Sequence, residues 1–206
     1  TFAHPLFFAR HALCDPELTL GMPPLLTAAT GMDAVTHCIE AVIARGDNPP
    51  ADGVGLDGLW RAWRHLQRAV DNGSDRDARW HMMMAATEGA IAFVKGLGAV
   101  HSMSHAAGRI HALRLHPGTL NAVILPTVLR FNESVCAEPY ARIRQAMGLA
   151  ERADLAPEVE RMNAALGLPA GLGAMGLTPG LIDDMVPHAV ADLCTRTNPR
   201  DLTAAD

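Results

Sequence analysis

Apolar and polar positions along this chain recur with the period of a helix far more often than with that of a strand. Between Gly55 and Val70, Leu56, Leu59, Trp60, Trp63, Leu66 and Val70 follow one another at i, i+3 and i+4, which on 3.6 residues per turn gathers them on one face and predicts a core helix. Upstream, after the breaker Gly21-Met22-Pro23-Pro24, the pattern predicts a helix opening at Thr30 and running through Glu40. Downstream, Asn72-Gly73-Ser74-Asp75 ends one helix and caps the next, which runs from about Asp77 past Met82-Met83-Met84 to Phe93 and closes at Gly96-Leu97-Gly98. A histidine-bearing segment follows, then Leu120 to Phe131 with Pro126 inside it, a residue that kinks a helix or marks its first turn. Pro139 to Leu149, Ala156 to Leu166 and Thr178-Pro179 to Leu193 complete the series, the last with Thr as N-cap and Pro at the first helical position.

Only the beginning departs from this period. Residues 6 to 14, Leu-Phe-Phe-Ala-Arg-His-Ala-Leu-Cys, form a short apolar run stopped by Asp15-Pro16 and read as one buried strand. A lone strand cannot make a sheet, so the chain reads as cut from something longer, an impression its lack of an initial Met reinforces. The expected organisation is a residual strand and linker over residues 1–20 and one all-α domain, a helical bundle, over 21–206, with no internal repeat.

Composition narrows the functional classes. With 206 residues, 49% of them hydrophobic, the chain can bury one sizeable core. A net charge of −5 with no Lys/Arg cluster argues against nucleic acid as a partner. Cys14, Cys38, Cys136 and Cys194 are far apart and form no C-x-x-C pair, so they are expected to be reduced thiols in a cytoplasmic protein. No apolar run reaches the roughly 18 residues of a membrane span, and no membrane partner is expected. Gly171-Leu172-Gly173-Ala174-Met175-Gly176 matches G-x-G-x-x-G, yet no strand leads into it, and outside a βαβ unit that motif means little. The methionine run reads as plastic core filling.

The chemistry is concentrated in two places. Asp33 and His37 stand four residues apart, one helical turn on a common face, a spacing that suits two ligands of one metal ion. His101 and His105 repeat the spacing, and His111 and His116 follow. If the two helices pack side by side, a carboxylate and several imidazoles converge, a ligand field suited to Fe(II) or Zn(II) over Mg or Ca. Bland readings stand beside this one: Thr30-x-x-Asp33 also fits a capping box, single histidines often lie satisfied in a core, and Cys194 reads equally as a packed thiol. Asp/His3 sets also activate water, so a zinc hydrolase using Glu40 or Glu88 as base is a rival, as is a degenerate, metal-free helical domain kept for interaction or oligomerisation.

The stretches Thr27-Ala28-Ala29-Thr30-Gly31-Met32-Asp33-Ala34-Val35-Thr36-His37-Cys38-Ile39-Glu40, Leu97 to Gly108 and His116-Pro117-Gly118-Thr119-Leu120-Asn121-Ala122, with Asp15-Pro16-Glu17-Leu18-Thr19 and Asn198-Pro199-Arg200, resemble the signature segments of the iron-containing (group III) alcohol dehydrogenases. The resemblance implies a dehydroquinate synthase-like C-terminal helical domain, with NAD or NADP bound mainly by an N-terminal α/β domain outside these residues. It implies a divalent metal, Fe2+ foremost and Zn2+ as alternative, held by Asp33, His37 and His101, with His116 as the candidate fourth ligand. In that family a His directly precedes the Gly of the third segment, whereas here Pro117 does and His116 lies one residue earlier. His105 resembles the histidine near the nicotinamide, with a proton-relay role. The implied reaction is hydride transfer between NAD(P) and a small alcohol/aldehyde or hydroxy-acid/oxo-acid pair in a homo-oligomer, a dimer, and these residues alone are expected to be inactive.

Overall fold

The computed structural model describes residues 9–206. Among the described residues eight α-helices follow one another: α1 Pro24–Ile43, α2 Pro49–Asp71, α3 Arg76–Ala92, α4 Ala99–Ala107, α5 Pro117–Asn132, α6 Ala137–Met147, α7 Leu155–Ala165 and α8 Pro179–Ala191. Short 3-10 turns join several of them, and no strand occurs among the described residues. Of the expected strand, residues 6–8 lie outside the described part, while 9–14 carry no regular structure and leave Leu13 94% exposed. No neighbouring strand among the described residues offers their backbone groups a ladder. Gly171–Gly176 likewise meets no strand; it forms the 3-10 turn Leu172–Met175.

Several helices begin earlier than the hydrophobic pattern implies, because prolines set their first turns. Pro24 stands at the first position of α1 and Pro49 at that of α2, where a missing N–H costs nothing. Thr30 is therefore internal to α1: its hydroxyl donates to the Leu26 carbonyl at 2.8 Å, and the capping-box reading of Asp33 falls with it. Asp75 does cap α3, accepting from the Ala78 N–H at 3.0 Å. Trp60, expected in the core, is 38% exposed, since α2 buries Leu59, Ala62, Leu66 and Ala69 instead and the Arg64 guanidinium lies 4.9 Å from the Trp60 ring centre.

Helix α1 is the central rod. Ala28, Met32, Val35 and Ile39 are wholly buried, with α2 and α3 packed on it from one side and α5 from another. Helix α4 packs on α5 and α8, and α7 on α5. Pro126 sits inside α5 and cannot donate to the Ala122 carbonyl. Asn163 of α7 takes that place, its side-chain N–H reaching the Ala122 oxygen at 2.6 Å, so the break in the ladder becomes a tie between helices.

Two close approaches bring the helices to the distances the site needs. A Cβ on Gly118 would lie 2.3 Å from the Ala29 carbonyl oxygen and 3.3 Å from the Asp33 Cβ, so only glycine lets the first turn of α5 lie against α1 at Asp33. A Cβ on Gly98 would lie 2.8 Å from a Glu40 carboxylate oxygen and 2.7 Å from the Asn198 side-chain oxygen. The N-terminus of α4 thereby sits directly on the Glu40 carboxylate.

Candidate metal centre

Asp33 and His37 project from one face of α1, and His101 comes from the first turn of α4. One ligand atom from each lies within 4.8 Å of the other two. The His37 and His101 rings are stacked with centres 4.5 Å apart, and Phe93 closes over His37 at 5.5 Å. Burial, and then the neighbouring His101, hold His37 below the usual histidine pKa, with Asp33 opposing. A neutral imidazole keeps the lone pair that a metal needs.

His101 is oriented from behind. Its Nδ1 lies 2.6 Å from Oε2 of Glu40, a residue of α1 with no exposed surface. The same carboxylate accepts the Val100 N–H at 2.7 Å and the His101 N–H at 3.3 Å, so it neutralises the open end of α4 while fixing the ring. With Nδ1 engaged, Nε2 is the nitrogen presented to Asp33 and His37. The Ala99 N–H is taken by Asn198 Oδ1 at 3.1 Å, and Asn198 also exchanges bonds with Asn132, which gives the Asn198-Pro199-Arg200 segment its place in the assembly.

Asn121, one turn into α5 and 1% exposed, reaches the cluster from the third side. Its Nδ2 donates to Asp33 Oδ1 at 2.5 Å and approaches His101 Nε2 at 3.1 Å, while its Oδ1 is buried without a hydrogen-bond partner. An anionic oxygen, two imidazole nitrogens and a buried polar group aimed at one point fit a divalent cation of borderline softness. His116 does not join the three converging side chains. It is exposed, and as the residue before Pro117 it takes an extended backbone, φ −82° and ψ 126°, at the N-cap of α5.

His105 lies one turn beyond His101, the ring centres 6.0 Å apart, on the wall of a cleft of about 710 Å³. Its Nδ1 is 3.1 Å from Asp192 Oδ2, and Asp192 in turn caps the following turn through the Cys194 N–H at 2.9 Å. Arg109, His111 and His188 also line this cleft. Burial and Asp192 push the Cys194 thiol up to about 12, which makes it inert as a nucleophile at neutral pH.

Asn121 and Asp192 carry no role in the one-dimensional pattern, and Glu40 figures there only as a hydrolytic base, because each acts across a helix contact. Glu40 does stand two turns beyond Asp33, the one hint available. The rival base is not supported: both Glu40 oxygens are spent on α4, and Glu88 is bound by Arg61 at 3.2 Å. A second group, His65, Asp77 and His81, was not foreseeable without the register of α2 on α3. There the two imidazoles stack at 3.7 Å, and each Nδ1 faces an arginine, Arg68 and Arg61, whose charge opposes a cation.

Helices that deliver one carboxylate and two histidines to a common point form a candidate divalent-metal site, and sequence comparison names the family. Residues 27–206 match the model of the Fe-containing alcohol dehydrogenase family, C-terminal part, and the chain belongs to that family. It is 53% identical over 204 residues to 4-hydroxybutyrate dehydrogenase of Cupriavidus necator, covering 96% of this chain and 53% of that protein. It is 38% identical over 206 residues to the NAD-dependent methanol dehydrogenase of Bacillus methanolicus, again covering 53% of the relative. The crystal structure of 1,3-propanediol oxidoreductase superposes with a TM-score of 0.87 at 34% identity, over 93% of this chain and 52% of that one. The chain thus spans about half the length of the curated relatives it matches.

Proposed function

We propose that residues 21–206 form the metal-binding catalytic domain of an NAD(P)-linked alcohol dehydrogenase, preceded by a linker over residues 1–20, with the dinucleotide held mainly outside these residues. The observation that carries the proposal is the convergence of Asp33, His37 and His101 within 4.8 Å, with His101 locked from behind by Glu40. The cation expected there is Fe2+, with Zn2+ as alternative, and when bound it supplies Lewis-acid polarisation of the substrate oxygen.

The side chains divide the remaining work. Asp33 contributes a negative donor that offsets the ion's charge; His37 and His101 contribute neutral nitrogens. His105 stands where a proton released by the alcohol can pass towards solvent, and Asp192, 3.1 Å from its Nδ1, orients the ring. Met103, on the same helix, lines a separate cavity with α5 and α7 and takes no part. Hydride transfer itself belongs to the nicotinamide, so the domain's task is to hold the carbinol carbon against it.

The cleft beside His105 favours a hydroxy acid over a plain alcohol. Arg109, His111 and His188 give its lining, which Asp192 shares, positive or protonatable groups suited to a carboxylate at the far end of the substrate. The likeness to a 4-hydroxybutyrate dehydrogenase supports the same class. Metal analysis of the purified chain tests the centre: wild type should retain about one equivalent of divalent metal and H101A should lose it. Unchanged metal content in H101A would remove the ligand assignment.

A further inference from the structure

We infer that Asn121, through its side-chain oxygen, is the fourth protein donor of the metal centre, in place of the exposed His116. The inference rests on the metal-site reading above and concerns only which residue completes it.

Pro117 occupies the first position of α5, and His116 is exposed on the extended backbone before it. A donor one turn further along α5 on the same face is at 121, and Asn121 is there, 1% exposed, with its carboxamide wedged between two of the converging ligand atoms. Gly118 fixes this approach, because α5 touches α1 at Ala29 and Asp33 through its missing Cβ. The amide nitrogen faces Asp33 Oδ1 and His101 Nε2, an acceptor oxygen and a ring nitrogen. That leaves Oδ1 buried without a hydrogen-bond partner. A half-turn of the carboxamide exchanges the two ends. With a cation held by Asp33, His37 and His101, the turned oxygen would face its positive charge.

The substitution of an amide oxygen for an imidazole has a chemical consequence. Oxygen donors favour harder ions, so an Asp/His2/Asn set binds Zn2+ less tightly than an Asp/His3 set and narrows the gap between Zn2+ and Mn2+.

The experiment is equilibrium titration of the purified metal-free chain with Zn2+ and, separately, Mn2+, for wild type, H116A, N121A, N121D and H101A, with helix content by circular dichroism alongside. H116A is expected to bind Zn2+ within about twofold of wild type and N121A at least about tenfold more weakly, the size of loss seen for lost metal-site partners. N121D keeps the side-chain volume and adds charge, and is expected to bind more tightly than wild type. The Asn121 side-chain amide resonances of the wild-type chain are expected to shift on Zn2+ binding, a readout independent of whether N121A folds. Loss of affinity in H116A with N121A and N121D unchanged overturns the inference while leaving the metal centre standing. Zn2+ binding that survives in H101A, or no binding to wild type, overturns the metal-site reading and this inference with it.

Discussion

The His101 Nδ1 and the Glu40 Oε2 lie 2.6 Å apart in a contact from which solvent is excluded, and this pair ties the central helix α1 to the first turn of α4. One carboxylate closes the helix end and sets which ring nitrogen faces the cluster. Replacing it by an amide, E40Q, puts an N–H donor against N–H groups of Val100 and His101. The expected result is a roughly 10–100-fold weaker metal affinity together with a lower melting temperature, read by titration calorimetry and thermal unfolding; an E40Q chain that binds metal as tightly as wild type would show that Glu40 does not orient the ligand.

The approach of α5 to α1 is equally demanding. G118A places a methyl 2.3 Å from the Ala29 carbonyl oxygen, which no flexible side chain can relieve, so the helices must separate. A destabilisation of about 1–3 kcal/mol is expected by denaturant unfolding, with weaker metal binding, since Asn121 and Asp33 move apart. G171A, where nothing lies within 4 Å of the added carbon, is the matched control and should change neither.

Acid stability should respond to the His65–His81 stack. Burial lowers both rings below the usual histidine value, reinforced at His65 by His81 and Arg68 and at His81 by Arg61 and Arg68, with Asp77 opposing at each. The folded state therefore binds fewer protons than the unfolded state in a window that begins near the unfolded histidine value of about 6.5 and extends downward. Stability is full above that window and falls as pH falls through it. Melting temperatures at pH 7.5 and 5.5 should differ less in H65Q than in wild type; an equal difference would exclude the stack as a cause.

Glu88 acts in the opposite sense. Burial pushes its carboxyl up to about 7 despite Arg61, for whose guanidinium Asp57 competes. A raised carboxyl pKa means that the folded state holds the extra proton between about 4.5 and 7, so ionisation across that window costs stability as pH rises. E88Q should remove this component and gain relative to wild type at pH 7.5 but not at pH 4.5, as measured by thermal unfolding.

The described residues contain no strand and no phosphate-binding turn between strand and helix. Turnover of 4-hydroxybutyrate with NAD+ or NADP+ by the 206-residue chain alone should accordingly be undetectable. Robust turnover would place the nucleotide site within these helices and refute the proposed division of labour.

What the linear pattern determined was local: helical periodicity, the cap at Asp75, and a carboxylate and imidazoles at one-turn spacing, because those depend on neighbours three or four residues away. Helix starts were displaced where prolines, not apolar residues, set the first turn, and Trp60 turned outward because α2 meets its neighbours along Leu59, Ala62, Leu66 and Ala69. The tertiary structure alone decided which side chains meet across helices. It set Glu40 behind His101, Asn121 against Asp33, Asp192 beside His105 and His65 upon His81, and it left His116 outside. Those pairings are fixed by how closely two helices can approach and in what register, which the absent Cβ of Gly118 and the buried carboxylate at the end of α4 enforce and which no single helix encodes.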